Sequence, residues 1–125
     1  HLEVAIPRAL TNAEGGLQHQ YEQAIASYRK DALFAQVLLA CALAEKDSLG
    51  RFSVKAVQMP LKTITGLDYV TGAYQGHLAK FCEEERGEVL IRSGKEKSYR
   101  WRFINPQLIP YILLKGISGG LIKDY

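Results

Sequence analysis

Apolar and polar positions along this chain change their period several times, and each change predicts a new element. Between Ala13 and Lys30, Leu17, Tyr21, Ala24, Ile25 and Tyr28 recur at spacings of four, three, one and three residues. That stripe is the mark of an amphipathic helix, with Asn12 placed to cap it. The segment from Asp31 to Lys46 is apolar on nearly every side, so it predicts a helix surrounded by other elements. Its apolar run, Ala32 to Ala44, is 13 residues long and interrupted only by Gln36. The roughly 20 residues needed to cross a bilayer are not there.

A short strand-like piece, Arg51 to Ser53, leads into Val54, Val57, Leu61 and Ile64, which again have helical spacing. Ser53 is placed to cap this helix and Gly66 to close it, whereas Pro60 predicts a kink or an end near Met59. Thr71 is placed to cap the next segment, in which Tyr74, Leu78, Phe81 and Cys82 share a face and which runs to Gly87. From Glu88 the period becomes two. Val89 to Arg92 and Ser98 to Ile104 are separated by the polar turn Ser93 to Lys97, and Tyr99, Trp101 and Phe103 alternate with Arg100 and Arg102. This predicts a hairpin with one buried and one wet face. Asn105-Pro106 breaks the strand, and Leu108 to Leu114 predicts a last helix with Pro110 in its first turn and Gly116 at its end.

Helix, short strand, helix, helix, hairpin is the element order of a winged helix-turn-helix. The expectation is therefore a mostly helical α+β domain: a three-helix core with a two- to three-stranded wing, an extra N-terminal helix and a C-terminal helix. Residues 1–30 form the tail of a preceding region and the first helix, and residues 31–125 the winged-helix domain. A three-helix bundle with an incidental hairpin is the alternative.

Composition narrows the class. A chain of 125 residues that is 47% hydrophobic and 23% charged buries about two thirds of its unfolded surface, which excludes disorder and leaves no room for a second full-sized domain. Cys41 and Cys82 both fall in apolar helical patterns, where a free thiol acts as a small hydrophobe. With no secretory pattern in residues 1–10, a reducing, cytoplasmic setting is expected. Neither cysteine forms a metal-ligand spacing with His19 or His77, so no metal and no cofactor are expected. The chain opens on His1 rather than Met, which reads as a piece of something longer.

Several stretches carry a family resemblance: Val37-Leu38-Leu39-Ala40-Cys41-Ala42-Leu43-Ala44, Gly50-Arg51-Phe52-Ser53, His77-Leu78-Ala79-Lys80-Phe81-Cys82-Glu83, Gly87-Glu88-Val89-Leu90, Tyr99-Arg100-Trp101-Arg102-Phe103, and Asn105-Pro106-Gln107-Leu108 with Pro110-Tyr111. Together they span residues 33–116, which resemble the C-terminal winged-helix domain of prokaryotic AAA/STAND-type ATP-binding proteins. The resemblance implies that an ATPase core precedes this domain and that His1 to Ile6 belong to the tail of its helical lid. No G-x-x-x-x-G-K-[ST] loop occurs, because Gly94-Lys95 is followed by Glu96 and Val89 stands where the first glycine belongs. Nucleotide chemistry would belong to the preceding part.

Charge gives the leading functional signal. Between Arg86 and Arg102 lie six cations (Arg86, Arg92, Lys95, Lys97, Arg100, Arg102) against Glu88 and Glu96, although the whole chain carries only +3. Such a hairpin suits a phosphate backbone, where each neutralised phosphate releases a counterion. It equally suits an edge strand whose cations block aggregation. On the third helix, Gln75, His77 and Lys80 are the groups fitted to touch DNA, and Glu83-Glu84-Glu85 would repel it. Gly72 and Gly76, four apart, allow a close backbone approach by DNA or by a protein helix. Gly116-Ile117-Ser118-Gly119-Gly120 matches a nucleophile-elbow pattern, but only five residues follow, leaving no place for an acid and a histidine downstream. The expectation is a non-enzymatic module that binds duplex DNA through a basic wing. The alternative is a regulatory module that packs on the ATPase core or a partner protein, with no membrane role in either case.

Overall fold

In the computed structural model, which describes residues 16–27 and 33–122, a three-stranded antiparallel sheet is inserted into a mostly helical α+β arrangement. Helix α1 covers 16–25. It is followed by α2 (Phe34–Leu43), β1 (Arg51–Phe52), a 3-10 turn (Lys55–Val57), α3 (Gln58–Thr65), α4 (Thr71–Phe81), a second 3-10 turn (Glu84–Arg86), β2 (Leu90–Ser93), β3 (Arg100–Phe103) and α5 (Leu108–Ser118). The expected start of α1, with Asn12, lies outside the described residues, as does Tyr28. Where the stripe predicts helix to Lys30, α1 ends at Ile25.

Helix α2 is the centre of the core, as its all-round apolarity requires: Val37, Leu38, Leu39, Ala40 and Cys41 are at most 1% exposed. Burial pushes the Cys41 thiol far up. Cys82, placed by the pattern on a buried stripe, is only half-buried. A group the pattern does not single out closes α2: the Lys46 ammonium donates to the carbonyls of Cys41 (3.0 Å), Ala42 (2.8 Å) and Ala44 (2.8 Å). A cation there answers both the unpaired carbonyls and the negative end of the helix dipole.

Three local readings change. Pro60 does not end a helix; α3 begins at Gln58, so Pro60 stands in its first turn, where no backbone donor is needed. Gly66 does close α3, at φ +77°. Thr71 is the first residue of α4 and not its cap, which is Val70 without a side-chain hydrogen bond. Gly116 lies inside α5, fully packed, and a Cβ there would stand 2.8 Å from one methyl of Leu39 and 2.9 Å from the other. It is glycine so that α5 can approach α2 closely. Ser118, from the dismissed nucleophile-elbow pattern, is the last residue of α5 and donates to the Lys115 carbonyl.

Strand β3 lies between β1 and β2. The register pairs Phe52 with Trp101, Leu90 with Phe103 and Arg92 with Trp101 on one face, and Arg51 and Ile91 with Arg102, and Ser93 with Arg100, on the other. The first face is the core face: Phe52, Leu90, Trp101 and Phe103 are each 1% exposed. Alternation along β3 therefore places its aromatics inward.

Candidate nucleic-acid interface

The core face of the hairpin does not stay covered to its tip. Beyond Trp101 it continues into Arg92 and Tyr99, and there it looks across an open cleft toward the first two turns of α4. The cleft has a volume of about 790 Å³ and is bounded by Ser53, Val54 and Lys55, by Thr71 and Gln75, and by Arg92, Glu96, Lys97, Tyr99, Arg100 and Trp101.

Its walls are held by polar ties from below. The Ser53 hydroxyl accepts from the Ala56 N–H (3.1 Å), setting the turn that carries Lys55, whereas α3, which the sequence expects Ser53 to cap, has Val57 at its cap without a side-chain hydrogen bond. The Tyr74 hydroxyl, one residue before Gln75, donates to the Val54 carbonyl at 2.6 Å and locks α4 to that turn. Burial pushes the Tyr74 phenol up to about 12, so it stays a donor at any ordinary pH. Gln58 donates to the Tyr69 carbonyl (2.8 Å) and fixes the loop that enters α4. At the hairpin, the Arg92 guanidinium stacks 4.1 Å from the Tyr99 ring centroid, and Tyr99 meets Trp101 edge-on at 6.0 Å.

Four cations, Lys55, Arg92, Lys97 and Arg100, stand in this cleft against one carboxylate, Glu96. None of the four makes an ion pair with a carboxylate among the described residues; the pair present there is Arg51 with Asp47, at 2.9 Å on the far face of the sheet. The floor holds a second unsatisfied group. Trp101 is 1% exposed, yet its indole N–H meets no acceptor among the described residues. A buried donor left in this state costs about 1–3 kcal/mol.

Of the residues the sequence nominates, the structure brings together Gln75, Arg92, Lys97 and Arg100. Lys95 is exposed at the hairpin tip outside the cleft, Lys80 is exposed further along α4, and Arg102 lies on the outer face of the sheet between Arg51 and Ile91. His77 is half-buried and packs on the Phe34 ring, with centroids 4.7 Å apart. Burial, with Arg86 and Lys80 nearby, holds its pKa below the ordinary histidine value. Arg86 also leaves the hairpin's charge: it stacks 3.6 Å from the Phe34 centroid and donates to the carbonyls of Ala24 and Ala26, tying α1 to the turn after α4. Ser53, Lys55 and Thr71 are additions the sequence does not reveal. The signal for Lys55 is its position just past β1, but it becomes legible only once β1 is known to pair with β3.

The exposed side of α4 is bare. A Cβ at Gly72 or Gly76 would meet nothing within 4 Å. Glu83, Glu84 and Glu85 are exposed at its far end. Among the described residues no helix is long and apolar enough to cross a membrane, and no group of three metal-ligating side chains converges. Comparison of the chain with protein-family models, with curated proteins and with solved structures gives no match.

Proposed function

We propose that this domain is a winged-helix module that holds duplex DNA chiefly by its phosphate backbone, the hairpin β2–β3 being the wing and α4 the helix laid toward a groove. The observation that carries the reading is the positive charge, without an ion pair among the described residues, that is shared by the hairpin and the turn at Lys55 and faces the bare first half of α4. Cations without carboxylate partners release counterions from DNA at full effect, whereas paired ones must first give up their partners. The glutamates at 83–85 lie beyond the opposite end of α4, so they oppose binding least when the duplex lies over the Thr71–Gln75 half. With His77 turned onto Phe34, Gln75 is the side chain on α4 suited to a base edge. The reading assigns no catalysis to this chain. The pattern over residues 33–116 supports its place as the C-terminal module of an AAA/STAND-type ATP-binding protein, whose assembly would multiply a weak single contact.

A second reading is favoured by another surface. Met59 and Val70 are each 70% exposed and Leu67 is 59% exposed, all around the α3–α4 connection, which suits a regulatory contact with the ATPase core or a partner protein. A salt series decides between them. Changing Lys55, Arg92, Lys97 and Arg100 together to Ala should weaken binding to all duplexes alike. It should also reduce the slope of log K against log salt by roughly 3 to 4, at about 0.9 per neutralised phosphate. Equal, feeble binding by the parent and the variant at low salt refutes the DNA reading and leaves the regulatory one.

A further inference from the structure

The structure points to a more specific site within this surface: we infer that the cleft between the hairpin and α4 is a seat for a single phosphate group, held by the cations of its walls. This deepens the DNA reading and, for the duplex, rests on it. Two observations converge. The cleft is concave and large enough, about 790 Å³, for a phosphate with part of its attached sugar. Its lining combines cations from separate elements, Lys55 from the turn after β1, Arg92 from β2 and Arg100 from β3, with the hydroxyl of Thr71 and the amide of Gln75 from α4. Trp101 lines the cleft as well, its indole N–H itself buried away from solvent.

The chemistry of that donor set is selective. Guanidinium and ammonium groups donate and never accept, so the seat favours an acceptor-only, negatively charged group. Glu96, at the rim, works against a carboxylate-free interior and repels anions that approach from the hairpin tip. Entry is therefore from the side of Lys55 and Thr71. The Arg92–Tyr99 stack keeps the guanidinium plane fixed without using its N–H groups, which remain free to point at an anion. Two sources supply such a group: a phosphodiester of a duplex, or a free phosphate compound.

Trp101 is the single tryptophan of the chain, so its emission reads occupancy of the seat directly. The experiment titrates the whole chain separately with a short duplex and with pyrophosphate, following Trp101 fluorescence, while anisotropy of a labelled duplex follows DNA binding independently. The expected result is a saturable change in Trp101 emission with the duplex that pyrophosphate competes away. The double variant Lys55→Gln, Arg92→Gln should abolish the emission change and weaken duplex binding at least tenfold. Duplex binding with no emission change, and undiminished in the double variant, overturns the seat while leaving the DNA reading intact. A pyrophosphate-dependent emission change with no duplex binding does the reverse, identifying a free phosphate compound as the ligand. No response to either probe overturns both.

Discussion

Placing the same substitution at two glycines tests the packing with opposite expected signs. Gly76 and Gly116 both lie inside helices, α4 and α5, so glycine to alanine gains about 1 kcal/mol of helix propensity at either position. At Gly76 that gain stands alone, since a new Cβ would meet nothing within 4 Å. At Gly116 the new methyl would lie within 2.9 Å of both methyls of Leu39, itself 1% exposed and hemmed in by the core, and 3.4 Å from Ile122. Overpacking of this kind costs about 1–3 kcal/mol. Because both Leu39 methyls are hit and neither has free space, the upper part of that range applies, giving a net loss of about 1–2 kcal/mol. At roughly 3–5 °C per kcal/mol for a domain of this size, Gly76→Ala should raise the melting temperature by a few degrees and Gly116→Ala should lower it by about 3–10 °C. Calorimetry of the two variants beside the parent is the assay. If Gly116→Ala raises the midpoint as much as Gly76→Ala, then α5 does not approach α2 as described and the reason given for this glycine is wrong.

Two further outcomes follow from side chains whose partners are internal. Lys46→Met keeps the stem but removes the ammonium from three carbonyls at the end of α2, and should cost about 1–2 kcal/mol in urea unfolding; no loss would mean that water replaces it freely. His77 has a pKa depressed in the folded state, chiefly by burial, so the unfolded chain takes up its proton first as the pH falls below the ordinary value near 6.5. Its contribution is thus complete above that value and is lost as the pH drops through the depressed one. His77→Phe, which preserves the ring against Phe34, should flatten the fall in melting temperature between pH 7 and pH 5, and an unchanged fall would place the titration elsewhere.

The helices were legible because their signals are local. Val37 through Ala42 announce a surrounded helix whatever lies around them, and Tyr74, Leu78 and Phe81 mark the buried face of α4 by spacing alone. Errors arose where a residue type has two uses that only a distant neighbour separates. Glycine near a helix end commonly caps it, and Gly116 reads that way until Leu39, in another helix, occupies the space a Cβ would need. Arginine beside a hairpin reads as surface charge, and Arg86 does so until the carbonyls of α1 and the ring of Phe34 claim it. A histidine on a helix offered to DNA is indistinguishable in sequence from one stacked on a phenylalanine 43 positions earlier.

The cleft depends on the same kind of distant information, through strand register. Alternation in Tyr99, Trp101 and Phe103 identifies the inner face of β3, but it does not say which of Ile91 and Arg92 joins that face. The pairing of Leu90 with Phe103 settles it: Arg92 falls opposite Trp101 and turns inward, and Ile91 falls opposite Arg102 and stays 45% exposed. A slip of one residue would bury Ile91 and send Arg92 to the outer face. Burial opposes the slip, since it would send Leu90, 1% exposed, to the outer face together with Arg92 in exchange for Ile91. The turn holds the same register. Gly94 takes φ +92°, where an added Cβ would lie 3.0 Å from the Ser98 carbonyl oxygen, Lys97 takes φ +73°, and the Ser98 N–H closes on the Lys95 carbonyl at 2.9 Å. A lysine in the left-handed region costs about 1–2 kcal/mol. That strain is tolerated in a register that sets Arg92 beside Trp101 on the inner face. Burial of Leu90 and the shape of the turn therefore fix one register between them, and its consequence is a cation, Arg92, on the inner face at the hairpin tip.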